Sequence, residues 1–501
     1  MRATGTAKRK ATASKRSTGR ARPARAPRAR ARGIGAAPVA VQVVNIIPKS
    51  LSNETAQDSE PHLTVNPADP RQIVGTAFTP DPFGGANAPI FLSSDGGTTW
   101  ALNAIVPSAP ATHDITSAFS GTGKKLYAGI LKSPTSSLDF LRAIDFMAAG
   151  PMSLLKTRGN ADQPFTHATT VKNGADAGKE RVYIGDNDFA AVPQSATIDQ
   201  ALNAGAGAVT FTSVRIEKRT TAGQDGPQIR PVSHPDGTVY AVFYRWRART
   251  GNFQANTLVV TSADVVVVRD DKWGTGTPAF TALKDPSDGL AGRRVAQGVS
   301  LPFMIAGTAA TGQQRLGGSV SIAVDPNDSA KVFVAWCDKQ PNSILTLHVR
   351  RSSDRGQNWS ASDLLTINNS TNAALAITTA GTVALLYQQL SGAGAAQRWV
   401  THLRRTADGV NWSDLVLATV PAMTPPKLFD PYIGDYDHLV AVGKDLYGIF
   451  SASNVPDRAN FPNGVTYLRN ANFTTHQLLR TDNTTPVAPS IDPFFFKVTG
   501  V

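Results

Sequence analysis

Residues 93–100 read SSDGGTTW, and what this octet does decides how the rest of the chain is read. Asp95 with Gly96 and Gly97 is the chemistry of a tight reversal between two strands: a short carboxylate caps turn amides, and glycine takes the positive φ that other residues avoid. Two related stretches follow, SSDRGQNW at 352–359 and TADGVNW at 406–412. Each comes after an apolar, β-rich segment (PIFLSSD, LTLHVRRSSD, WVTHLRRTAD), so the three mark one recurring position in a repeated unit.

The unit begins with a pair of strands joined by a polar turn. It recurs as LTVNPADPRQIVGTAF, ITSAFSGTGKKLYAGIL, HATTVKNGADAGKERVYIGDND, IRPVSHPDGTVYAVFYR, VSIAVDPNDSAKVFVAWCD, LAITTAGTVALLYQQL and YIGDYDHLVAVGKDLYGIF, with first strands predicted to begin near positions 61, 113, 164, 227, 319, 373 and 431. A third apolar stretch and a fourth strand, such as FTSVRIEK or LVLATV, complete it. Four antiparallel strands with two apolar faces must be covered on both sides, which predicts an all-β protein: a β-propeller of four-stranded antiparallel blades. The repeats predict seven blades, or six if the second unit drops out, because SLDFLRAIDFMAAGPMSLLK fits third and fourth strands poorly. The 286–317 interval holds either a strand or a long loop. The β-branched run at 39–47 is predicted to pair with the last blade, closing the ring and protecting an edge.

Residues 1–37 read as a disordered basic arm and 38–501 as a single propeller domain. The formal net charge is +13, but twelve of the 50 Lys and Arg lie between Arg2 and Arg32 with no Asp or Glu among them, leaving 38 basic against 37 acidic residues beyond. The folded part is therefore nearly neutral, and contact with nucleic acid or an anionic surface would belong to the arm alone. One cysteine, Cys337, excludes an internal disulfide and reads as a small apolar filler. No stretch approaches the roughly 18 apolar residues of a membrane helix, and no clear signal peptide is present, so a soluble monomer of unassigned compartment is expected. No Walker loop, dinucleotide fingerprint, HExxH or nucleophile elbow occurs.

The octet matches Ser-x-Asp-x-Gly-x-Thr-Trp through Ser93, Asp95, Gly97, Thr99 and Trp100. The second copy carries Asp354, Gly356 and Trp359 with Asn358 in place of Thr, and the third, one residue shorter, carries Asp408 and Trp412. Their recurrence resembles the sialidase-like, Asp-box (BNR-repeat) β-propellers over roughly residues 56–475. The resemblance implies that these turns are structural and lie on the outer edge. It also implies that a true sialidase would carry an Arg-Ile-Pro in the first blade, three arginines on the substrate carboxylate, a Tyr nucleophile with a Glu partner, and an Asp acid-base. This chain has EPHLTV in the first blade and no Arg-Ile-Pro. The resemblance places Asp225 near the family's Glu, Arg245 near a pocket Arg, and Tyr436 or Tyr432, beside Asp435, near the nucleophile.

By analogy with other propellers, the functional surface is expected where the innermost strands begin. The residues just before them are Glu60, Asp114, Asp162, Asp225, Asn372 and Asp430, predicting an acidic ring, with His62, His113, Gln163, Gln228, Arg230 and Tyr432 nearby for acid-base chemistry or sugar hydrogen bonding. Turn capping is the leading explanation for any one of them, and it is their coincidence around one axis that favours a shared binding role over it. No metal site and no cofactor are predicted; calcium is the one cation this oxygen-rich set would suit, although no Asp-x-Asp-x-Asp-Gly loop is present. The reading is a divergent or non-catalytic propeller that recognises a glycan or similar polar ligand at its axial pocket. The alternatives are an exo-sialidase-type or related glycoside hydrolase and a protein-binding scaffold.

Overall fold

The computed structural model describes residues 39–501 apart from 86, 108–111, 133–135, 149, 226–227, 253–254, 256, 302–318, 342 and 426–432. The expected basic arm and the candidate residues Asp430 and Tyr432 lie outside the described residues. Val39–Val501 is one compact unit. It is all-β, with only single-turn 3-10 helices among the described residues, at Lys49–Leu51, Gly394–Ala396 and Arg458–Asn460.

Six successive groups of four antiparallel strands follow the chain among the described residues. The first is Ser59–Val65, Ile73–Phe78, Asn87–Ser93 and Ala101–Pro107; the second is Thr112–Phe119, Leu126–Lys132, Ser137–Ala143 and Ser153–Arg158. The third is Ala161–Thr170, Glu180–Asp188, Ser195–Ala201 and Thr212–Arg215; the fourth is Arg230–Ser233, Val239–Thr250, Val259–Asp270 and Arg293–Leu301. Val320–Asp325, Asp328–Gln340, Ser343–Ser352 and Leu365–Asn368 form the fifth, and Ser370–Ile377, Val383–Ser391, Arg398–Thr406 and Ser413–Pro421 the sixth. The second group is thus regular after all. Its third and fourth strands come from SLDFLRA and SLLKTR, which sequence pattern fits poorly because the fourth strand is mostly exposed. The 286–317 interval supplies the fourth strand of its group, Arg293–Leu301.

A closing sheet combines both ends of the folded chain: His438–Val442, Asp445–Ser453 and Ile491–Thr499, then Ala40–Asn45. The expected pairing is present, Ala40 opposite Thr499 through Asn45 opposite Phe494. Residues 433–437 precede His438–Val442 and lie outside that strand, whereas the repeat pattern puts YIGDYD within it. Residues 454–490 form an insertion with two- and three-residue strands, too short for any periodicity to reveal in the sequence.

Cores form where neighbouring sheets face one another. Val242, Trp246, Val265 and Val267 of the fourth group pack with Ile322, Val334 and Trp336 of the fifth, each such side chain contributing roughly 1.5–3 kcal/mol by burial. Cys337 is fully buried beside Leu347, Leu385 and Tyr387 as a filler. Each innermost strand packs on the next around the chain, and His438–Val442 returns to Ser59–Val65, so the strands enclose a central axis in the manner of a β-propeller.

The opening octet joins the third strand of its group to the fourth. Asp95 Oδ1 accepts from the amides of Thr98 (3.0 Å) and Thr99 (2.9 Å), Oδ2 accepts from the Thr99 hydroxyl (2.6 Å), and Trp100 Nε1 donates to Gly97 O (3.0 Å). Asp354 accepts from the Asn358 amide and side chain (2.9 and 2.7 Å), and Asp408 from the amides of Val410 and Asn411 (both 2.8 Å). Asn therefore replaces Thr without loss of the carboxylate's second partner. A comparable turn that the sequence reading missed is built on Asp270, which receives the amides of Lys272 and Gly274 (both 2.8 Å).

Candidate functional site

Four of the innermost strands share a local irregularity that decides where their candidate residues go. Strand register shifts between Ser59 and His62, between Thr112 and Ile115, between Asp162 and Phe165, and between Thr371 and Ala374. These are β-bulges near the start of each strand, and Glu60 (φ 51°), Gln163 (φ 57°) and Asn372 (φ 59°) take the left-handed conformation within them. A bulge re-aims its side chain, which is how residues of the same sequence position come to share a layer. Gly434 lies against Glu60 so closely that a Cβ there would stand 2.4 Å from the Glu60 nitrogen.

Five candidates are linked in sequence across this layer. Tyr436 Oη donates to Asp114 Oδ1 (2.9 Å), Gln163 Nε2 to Asp114 Oδ2 (3.3 Å), Gln228 Nε2 to Gln163 Oε1 (3.4 Å), and Arg230 to Gln228 Oε1 (3.5 Å). Asn372 Nδ2 donates to Gln388 Oε1 (2.9 Å) and to Gly434 O (3.2 Å). His62 stacks on His438 with ring centroids 3.9 Å apart, and the Arg230 guanidinium lies 4.7 Å from the Phe165 ring centre. Glu60, His62, Asp114, Gln163, Gln228, Arg230, Asp435 and Tyr436 are all buried. The expected ring of carboxylates at an open rim is instead a hydrogen-bonded polar layer inside the channel.

Other candidates stand apart from it. Asp162 turns back on its own bulge, its Oδ1 accepting from the Gln163 amide (2.7 Å). Asp225 sits half-buried in the segment ahead of Arg230–Ser233. Arg245 pairs with Asp264 (2.9 Å) and donates to Thr220 O (2.8 Å), so its guanidinium is already engaged. His113 packs edge-on against Phe78.

Electrostatics divide the layer. Burial drives His62 well below its ordinary pKa and takes His438 down to about 3, so both rings are neutral. Burial lowers Arg230 as well, but only to about 10, which leaves it charged at neutral pH. Asp437, also fully buried, is pushed well up by burial, against which the Arg230 charge pulls it down. Burial, followed by the charges of Asp114 and Glu60, raises the Tyr436 phenol well above the usual tyrosine range.

Adjoining the polar layer, a cavity of about 310 Å³ follows the C-terminal halves of the innermost strands. Its wall is mostly small and aliphatic, with Thr64, Ser117, Thr166, Ser321 and His438 adding polar atoms and Arg230 at the polar end. Arg230 forms no ion pair with a carboxylate among the described residues, and its Nε has no hydrogen-bond partner. An axial pocket is expected from the sequence, at the strand starts; most residues that line the observed cavity (Ala, Val, Ile, Ser, Thr), Arg230 and the histidines His167 and His438 apart, have no chemistry that sets them apart.

No protein-family model matches the chain, and no curated protein sequence matches it. Solved structures with a similar chain trace include the hydrazine synthase of Kuenenia stuttgartiensis, at 14% identity and TM-score 0.41 over 79% of this chain and 94% of that one. An α-L-arabinofuranosidase of Fusarium graminearum is 11% identical with TM-score 0.37 over 90% and 97%. An ulvan lyase of the polysaccharide lyases is 8% identical with TM-score 0.46 over 79% and 92%. Similarity of this degree assigns neither an activity nor a ligand to this chain. Among the described residues, no helix is long and apolar enough to cross a membrane.

Proposed function

We propose that the protein is a seven-bladed, sialidase-like propeller that binds, without cleaving it, a glycan or similar polar ligand in its axial cavity, with Arg230 receiving an anionic group of that ligand. The observation that carries this reading is the buried Arg230 guanidinium, charged, facing the cavity and without an ion-pair partner among the described residues. A buried cation is costly unless paired, and a ligand carboxylate or sulfate supplies that pair. In support of the blade count, the cavity is lined by one strand from each of the six groups and one from the closing sheet.

The hydrolytic alternative draws on the hydrogen bond from Tyr436 to Asp114. It requires an arginine clamp and an activated phenol. Arg245 is held by Asp264, and the Tyr436 phenol is pushed towards its protonated form, the opposite of activation. Binding is therefore favoured over hydrolysis.

The test is calorimetric titration with oligosaccharides that carry a carboxylate or sulfate and with their neutral counterparts. The charged ligands should bind preferentially, and Arg230→Ala should weaken them by roughly 10- to 100-fold, the worth of one charge-assisted hydrogen-bonding group. Equal binding of neutral sugars would remove Arg230 from the reading. Turnover of a fluorogenic sialoside, lost in Tyr436→Phe, would replace binding by hydrolysis.

A further inference from the structure

Where the two ends of the folded chain meet, a second group of carboxylates lies apart from the axial layer. Glu54, Asp58 and Asp492 each bring a carboxylate oxygen within 4.8 Å of the others. Asp58 immediately precedes the innermost strand Ser59–Val65, and Asp492 lies in the closing strand Ile491–Thr499 opposite Ala452. Both are buried, and the Glu54 side chain is 9% exposed.

The partners of these groups are unequal. Asp492 is satisfied by neighbours: Asn45 Nδ2 donates to Oδ2 (2.7 Å), Asn454 Nδ2 and the Ser490 hydroxyl donate to Oδ1 (2.6 and 3.1 Å), and Arg469 donates to Oδ2 (2.9 Å). Arg469, with no exposed side-chain area, reaches Glu54 Oε2 at 3.7 Å. The Ala56 amide donates to Glu54 Oε1. Asp58 Oδ1, 98% of whose residue is out of solvent, accepts no hydrogen bond, and neither does Glu54 Oε2. One guanidinium thus stands among three carboxylates, and two oxygens of different residues are left without donors in the same small volume. Without further compensation, two negative charges would remain in a place that solvent cannot reach.

We propose that Glu54, Asp58 and Asp492 form a site for one hard divalent cation, calcium by preference, that fastens the ring where it closes. Oxygen donors alone, carboxylates from separate segments and irregular geometry suit calcium better than zinc, which takes nitrogen and sulfur, or magnesium, which demands a tight octahedron. The two donor-less oxygens are the ligands the protein has left open, and the charge of a divalent ion matches the excess that Arg469 leaves. Held there, the ion would join the segment leading into the first group to the last strand of the chain.

The site shares no residue with the axial layer, so its test is independent of ligand binding there. The full chain, stripped with EDTA, is titrated with Ca²⁺ by calorimetry and with Tb³⁺ by luminescence, and its melting temperature is followed with and without Ca²⁺. One ion per chain is expected, with a rise of about 3 °C at roughly a hundredfold excess over Kd. Asp58→Asn and Glu54→Gln should each lower Ca²⁺ affinity at least tenfold, and in EDTA both should melt no lower than the wild type, because each removes a buried charge. Should Asp58→Asn not fold, Glu54→Gln at the rim carries the measurement. Absence of binding by the folded wild type at millimolar Ca²⁺, or binding that survives Glu54→Gln unchanged, overturns the proposal. In the second case the ion sits elsewhere.

Discussion

Gly96 and Gly97 offer a controlled measurement of how the hairpin turn is locked to the core. Both have positive φ, 78° and 92°, so alanine at either costs roughly 1–2 kcal/mol of backbone strain. Their surroundings differ. A Cβ at Gly96 meets nothing within 4 Å, whereas at Gly97 it would stand 2.1 Å from Phe495 Cε1, 2.5 Å from Cζ and 2.8 Å from Cδ1, well inside the ordinary carbon–carbon contact of about 3.5–4.0 Å. Phe495 is fully buried, with the Trp100 ring centre at 5.3 Å and that of Tyr447 at 6.5 Å, so the ring cannot withdraw without disturbing its neighbours. Overpacking of this kind adds about 1–3 kcal/mol. Gly97→Ala should therefore cost about 2–5 kcal/mol and Gly96→Ala about 1–2. For a folded body of about 460 residues each kcal/mol moves the melting temperature by roughly 1 °C, so scanning calorimetry with sub-degree precision on the two variants side by side is the assay. Equal losses at the two positions would refute the claim that Gly97 is required by Phe495, leaving only its φ.

Other expectations follow from the same structure. His348, 7% exposed, accepts or donates between Asp338 (3.1 Å) and Asp363 (2.7 Å), stacks on Trp336 and lies near Arg350, itself paired with Asp363. Burial pulls its pKa down, but the hydrogen bonds and charges of the two aspartates more than reverse this, to about 9. Because the folded value lies above the unfolded one, the stabilisation is fully present below about pH 6.5 and is lost as pH rises through about 9, a change of about 3 kcal/mol from this group. Denaturant midpoints across that window should show the loss in the wild type and not in His348→Gln. Deleting residues 1–38 should leave the melting temperature within about 1 °C of the full chain, whereas deletion through Asn45 removes the strand that lies between Ile491–Thr499 and Thr466–Tyr467 in the closing sheet and should lower it sharply or prevent folding, as read by calorimetry and near-ultraviolet circular dichroism.

The layout of strands was legible because two periodicities reinforce each other. Alternation marks individual strands, and the recurring turn of Asp95, Asp354 and Asp408 fixes their phase within a unit. The reading failed where one of these signals was missing: the exposed SLLKTR strand hides its alternation, the insertion at 454–490 has strands too short to alternate, and the Asp270 turn lacks the serine, threonine and tryptophan frame. Glu60, Asp114, Asp162 and Asn372 were found because bulges repeat at the starts of four innermost strands, and an acidic or amide residue there is their trace in the sequence. Their burial was not legible, since a polar residue ahead of a strand reads equally as solvent-facing turn and as channel lining.

The sequence by itself determined the all-β class, the order of the strands, the turn chemistry of SSDGGTTW and the return of residues 39–47 to the end of the chain. These depend on residues near one another or on one long apolar match. Only the tertiary structure decided what meets across the axis and at the closure: that Asp114, Gln163, Gln228 and Arg230 form one relay, that Arg230 faces a cavity without an ion-pair partner among the described residues, and that Glu54, Asp58 and Asp492 converge. Such groupings join residues up to several hundred positions apart, and their electrostatics depend on distances and solvent exclusion that exist only once the ring has closed.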